Sequence, residues 1–248
     1  MNKLWLTLLL AILSFSLNAQ YNSEGADLIS RFRPGTMWFY TGLRPATPEK
    51  VRKYDRLMFD LTYNTFNGGL KPFKNHWNSI GFNTNLLFEI PITKANTVSF
   101  GIGLTHSLFS VETSGHFFGA DSTFSKTLMS PYQTFAEEKR YLIGNSFSVP
   151  LEFRFRTKGW KHFKVHIGGR VGYQANLYSK AVNHYYHGKQ VFKDHNFADV
   201  NRLIYSAHVR IGIRNWAVYG SYNLNSLFKN KESVQLNLFQ VGLSISLF

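Results

Sequence analysis

His106 and Ser107 are adjacent in the chain, and His184, His187 and His195 fall within one polar stretch. A histidine beside a serine offers the groups of acyl transfer, and three nearby histidines offer those of a zinc or copper site. Neither set is completed. There is no Gly-x-Ser-x-Gly nucleophile elbow, no cysteine, and no carboxylate pair spaced to add metal ligands. Catalytic sets are recognised by geometry and roles, so catalysis on lipids at a barrel rim rests here on residue type alone. His106 also falls on the apolar parity of its segment. The histidine-rich stretch reads as an aromatic surface loop with no metal.

A larger ionisable set follows a different rule. Arg56, Asp60, Glu89, Glu152, Arg154, Lys164, His166, Arg170, His208 and Arg210 each alternate with apolar neighbours. The run HFKVHIGGRVGYQANLY, residues 162–178, is typical. Val165, Ile167, Val171, Tyr173 and Leu177 recur on one parity, while Lys164, His166, Arg170 and Gln174 take the other, with Gly168 and Gly172 making room. Charges enclosed in a narrow interior must be paired, so a cation–carboxylate network is expected, with Arg170 joined to Glu152 or Glu89. Removing the Arg170 charge should then lower stability. Cations outnumber carboxylates in the set, which leaves water, carbonyls or a bound anion to balance it. Structural filling of a barrel is one reading, and a weak anion path the other.

The elements that position these residues are strands of period two. Leu57, Phe59, Leu61 and Tyr63 alternate with Arg56, Met58, Asp60 and Thr62. Ile80 to Ile90 and Val98 to Leu108 repeat the pattern, followed by Tyr141 to Phe155, the run at 162–178, and Leu203 to Ile213. A tight Asn215-Trp216 turn leads to a strand near Ala217 to Phe228, and Val234 to Phe248 closes the series. Eight strands result. Short connections follow the second, fourth and sixth, and longer ones the first, third and fifth.

Composition bounds the setting. The chain has 248 residues, of which 17% are aromatic, with 23 Phe and 13 Tyr. Absence of cysteine excludes disulfides and thiolate metal sites. Residues 1–19 have the form of a secretory signal peptide, with Lys3 before an apolar run and small residues before Gln20. Without Lys3, 27 basic face 14 acidic side chains, a net charge near +13. Export argues against nucleic acid as the partner of that charge.

Residues 20–53 have no sustained period and read as a periplasmic leader, and 54–248 as the barrel. No later apolar run is long enough for a membrane helix. A water-soluble eight-stranded barrel would place its apolar face inward and charges outward. Here the polar face is mostly Gly, Ser, Thr and Asn, which suits a crowded lumen. The expected fold is therefore all-β: an eight-stranded antiparallel up-and-down transmembrane barrel, with short turns and both termini in the periplasm. Trp38, Trp160 and Trp216, each near basic residues, are expected at the membrane interface, against outer-membrane lipids.

The end of the signal, SLNAQ, the hairpin VPLEFRFRTKGWKHFKVHIGGRVGY at 149–173 and the closing VGLSISLF make the chain from Tyr54 onward resemble the PorT-like outer-membrane β-barrel proteins of Bacteroidota. The resemblance implies an eight-stranded outer-membrane barrel inserted by the assembly machinery and suggests work in envelope assembly or protein secretion with partners there; no cofactor is expected. The expected function is a non-enzymatic scaffold or subunit. A lipid-modifying enzyme and a narrow anion-preferring channel are the alternatives.

Overall fold

The computed structural model describes residues 56–68, 76–93, 97–119, 126–130, 139–157, 163–185 and 188–247. The signal segment, the whole leader, Trp38, Trp160 and His187 lie outside them. Every regular element among the described residues is a strand. In chain order these are β1 (Leu57–Gly68), β2 (Ile80–Pro91), β3 (Val98–Glu112), β4 (His116–Gly119), β5 (Thr127–Ser130) and β6 (Lys139–Arg156). They continue with β7 (Phe163–Tyr185), β8 (Gly188–Asp194), β9 (Leu203–Ile213), β10 (Trp216–Asn223) and β11 (Leu236–Ser246).

Eight of them close a barrel. Each of β1, β2, β3, β6, β7, β9, β10 and β11 pairs antiparallel with its predecessor in that series, and β1 pairs with β11 from Met58↔Ser246 to Gly68↔Leu236. The up-and-down meander expected from the alternation is the observed one. Closure leaves no open edge in the wall itself. The connections after β2, β6 and β9 gather at the end where β1 starts and β11 stops; the longer ones lie at the opposite end.

Burial follows the parity. Ile80, Phe82, Leu86 and Phe88 are exposed on β2, as are Ile102 and Leu104 on β3, Leu151 and Phe153 on β6, and Ile211 on β9. Their neighbours Asn83, Asn85, Thr105, Glu152, Arg154 and Arg210 are buried in the lumen. The barrel is thus inside out relative to one made for water: apolar on its continuous outer wall, polar and charged within. A wall of this kind demands an apolar surrounding.

Several details depart from the alternation. Between β6 and β7 the register shifts, Ser146 facing Gln174 while Asn145 faces Asn176, so Ala175 is an extra residue on β7. Such a bulge reverses the parity beyond it. Leu177 therefore lies inside, only 4% exposed, instead of continuing the outward row of Val171 and Tyr173. The β9–β10 turn is formed by Arg214 and Asn215, with Ile213 facing Trp216, so Trp216 begins the strand rather than making the turn. Arg214 takes φ 58°, a conformation usually given to glycine at the first position of such two-residue turns. β10 has 8 residues and stops at Asn223, well short of Phe228.

The long connections contain structure that their polar composition conceals. β4 and β5 form a separate hairpin. β7 runs for 23 residues, past the end of its pairing with β9 at Tyr173, and pairs with β8 from Ser179 to Tyr185 while β6 accompanies it as far as Val182. Gly168 and Gly172 also have a different purpose from the expected one. A Cβ on Gly168 would lie 2.1 Å from Leu151 O, and one on Gly172 would lie 2.6 Å from Ser148 Cβ, so they permit close approach of β6 rather than space for Arg170.

Candidate functional site

The lumen is organised around three carboxylates. Glu152 on β6 accepts from Arg154 Nε and Nη2, both at 3.0 Å, from Arg210 Nη1 at 2.6 Å and from His208 Nε2 at 2.9 Å. Asp60 on β1 accepts from Arg210 Nη2 at 2.9 Å and from Asn85 Nδ2 at 2.9 Å. Glu89 on β2 accepts from Arg154 Nη1 at 3.2 Å, Arg156 Nη2 at 2.9 Å and Ser99 Oγ at 2.6 Å. Arg210 on β9 reaches carboxylates on β1 and β6, neither of which is its neighbour in the wall, so these bonds cross the lumen.

Charge-assisted bonds of this length, away from water, are the strong kind, and each ion here needs its partners. The strands fix them in register. Gly101 faces Glu152 across β3 and β6, and a Cβ on it would come within 2.9 Å of Arg154 Nε. The guanidinium lies over the space where a side chain would otherwise be. Tyr219 on β10 is fully buried, with Arg210 4.9 Å and Arg170 5.3 Å from its ring centre, a geometry that favours cations over an aromatic face.

Nine of the ten residues expected in the lumen, Asp60, Glu89, Glu152, Arg154, Lys164, His166, Arg170, His208 and Arg210, lie there in the network or beside it. Lys164 donates to Ser246 Oγ at 2.8 Å, and His166 Nδ1 stands 3.9 Å from Glu152. Two expectations are corrected. Arg56 precedes β1 and is exposed: its carbonyl accepts from Leu87 N at the rim of the wall, where the lumen ends. Arg170 is inside, but makes no direct ion pair with Glu152 or Glu89; its Nε donates to His208 Nδ1 at 3.4 Å, placing His208 between it and Glu152. With Nδ1 accepting, the proton of a neutral His208 sits on Nε2 and points at Glu152.

No family model matches the sequence, and no curated protein matches it. Among solved structures, Ail, the attachment invasion locus protein of Yersinia pestis, is similar at 12% identity over 77% of this chain and 95% of that one, with a TM-score of 0.33. The same protein in complex with the heparin analogue sucrose octasulfate is similar at 12% identity, 77% and 96% coverage, and a TM-score of 0.28.

Toward the long-connection end the lumen changes character. Phe66, Phe109, Val111, Leu142, Leu177, Leu236 and Leu238 point inward from the strands and pack with Phe117, Phe197, Val200, Leu227 and Phe228 from the connections. This is an apolar plug. Phe66 and Phe109 meet edge to face with ring centres 6.2 Å apart. Buried Asp199 ties the plug's covering loops together: its carboxylate accepts from Thr127 Oγ1 at 2.5 Å and from Ser233 Oγ, and its carbonyl from Lys229 N at 2.8 Å.

Asp199→Ala leaves both hydroxyls without their acceptor at a cost of about 1–3 kcal/mol. Because the barrel wall is untouched, the expected result is an intact folded barrel with faster proteolytic nicking between β3 and β6. Unchanged nicking would show that the tie does not hold the loops.

Among the described residues no group of three or more potential metal ligands comes together. His106 and Ser107 project to opposite sides of the wall: His106 bonds Asn145 Oδ1 at 2.7 Å and stacks on Phe147, while Ser107 is buried in the lumen. His195 stacks on Tyr178 at 4.8 Å. His184 lies on β7 opposite Lys189. Trp216 is 45% exposed at the short-turn end.

Arg156, Tyr219 and the plug were not anticipated. Arg156 shares the parity of Glu152 and Arg154, and Phe66, Phe109 and Leu238 share that of the polar lumen residues, so alternation followed to the strand ends would have found them. Asp199 gives no such signal, since it lies in a connection.

Proposed function

We propose that the protein is an integral outer-membrane β-barrel without enzymatic activity, acting as a scaffold or subunit in envelope assembly or secretion. One observation supports this above others: the wall is apolar outside while the lumen is filled by a charge network and an apolar plug. The first property supports a bilayer setting, and the second fills, among the described residues, the interior that a pore or a substrate cleft would need. What remains available for function are the surfaces beyond the wall, including the β4–β5 hairpin, the β7–β8 ribbon and the leader. In this reading both termini and the short turns lie in the periplasm, Trp216 sits at that interface and outer-membrane lipids surround the wall. The resemblance to PorT-like barrels is what points toward secretion.

The protein should require detergent for solubility and show a heat-dependent mobility shift on gels. In planar bilayers it should give no stable unitary conductance, and its deletion should leave lipid A and phospholipids unchanged. Mild-detergent purification should retain an envelope protein in fixed ratio. Solubility without detergent would overturn the membrane placement, and an altered lipid profile would overturn the non-enzymatic role.

A further inference from the structure

Between the charge network and the plug is a cavity of about 30 Å³. One water-sized species needs about 10–15 Å³ by the same measure, so there is room for about two. Ser107, Ser146, Ser148, Ser206 and Ser221 line it, together with Arg170 and Gln174. These residues come from β3, β6, β7, β9 and β10, so hydroxyls surround the space from most of the barrel's circumference.

Arg170 is 6% exposed, and its Nη2 has no hydrogen-bond partner. It makes no direct ion pair: Asp60 and Glu152 are both engaged by Arg210, itself a cation, and His208 separates Arg170 from Glu152. The ring of Tyr219 covers part of the guanidinium without neutralising it. A buried cation in this position is costly unless an anion meets it.

We propose that the cavity is a binding site for a small monovalent inorganic anion of halide size, held by Arg170 Nη2 and the serine hydroxyls. Gln174 Oε1, which also has no partner, can only accept, so a water donating to it occupies the second place. The space excludes sulfate, phosphate and organic carboxylates. With the plug closing the lumen above it, the anion is a resident counter-ion and not a permeant one.

The test compares the detergent-solubilised protein in sodium bromide and in sodium gluconate at equal ionic strength, reading the temperature at which half of the folded gel form is lost. Bromide about a hundredfold above its Kd should raise that midpoint by roughly 5 °C or more. The increment should vanish in Arg170→Met and persist in Lys229→Met, which removes an exposed charge away from the cavity. Crystals of the unaltered protein grown in bromide should show an anomalous peak within hydrogen-bonding distance of Arg170 Nη2. Equal increments in the Arg170→Met variant would overturn the site. So would crystals with no anomalous peak in the cavity, which decides the matter even if Arg170→Met does not fold.

Discussion

Glu152→Gln should destabilise the barrel by about 3–5 kcal/mol, the cost of removing one partner from a buried ionic cluster. Glu152 meets two guanidinium groups and His208, and is itself fully buried. The amide keeps the shape of the side chain but supplies donors where Arg154 and Arg210 already donate. Arg210 would retain Asp60, whereas Arg154 would share Glu89 with Arg156. Combining the change with Arg154→Met should therefore recover part of the loss, because it removes the cation left worst paired. Urea unfolding in lipid vesicles measures both. A Glu152→Gln loss below about 1 kcal/mol would mean that the network is not a stabilising unit.

Leu104→Arg should cost about 2–4 kcal/mol in a bilayer, the range for a basic residue on the lipid face near the midplane. Leu104 is 54% exposed on β3 and faces Leu86 across the β2–β3 pairing. In a barrel surrounded by water the same substitution at an exposed position would change stability by about 0.5 kcal/mol or less. The size of the effect thus distinguishes the two surroundings. Refolding yields and urea midpoints in vesicles provide the reading, and a near-neutral result would contradict membrane placement of this wall.

The strands were legible because period two is a property of each segment alone. Which residues face the lumen follows at once, and Asp60, Glu152 and Arg210 could be placed there without knowing the barrel's diameter. Their partners could not. Arg170 and Glu152 lie on adjacent strands, but the pairing there sets Arg170 opposite Pro150 and Glu152 opposite Gly168, and Arg210 reaches Glu152 across the lumen instead. Register and strand stagger decide such contacts, and alternation is blind to both. The bulge at Ala175 shows the same limit, since one inserted residue sends Leu177 inside while the sequence still reads as an unbroken strand. The loop half of the plug, Phe117, Phe197, Val200, Leu227 and Phe228, was concealed because those residues follow no period.

The seam between β1 and β11 joins the two most distant parts of the barrel, and Asp60, on one side of that seam, is the acceptor for Arg210 two strands beyond its other side. This links folding kinetics to electrostatics. Pairing of such high sequence separation bears the largest loop-closure entropy and forms late. Until it forms, Arg210 has Glu152 but lacks Asp60, and any partly rolled sheet that shed its water would bury the Asp60 carboxylate without its guanidinium. The cross-lumen ion pair thus favours dehydration of the interior after the seam has zipped, so the charges serve as a proofreading step on closure.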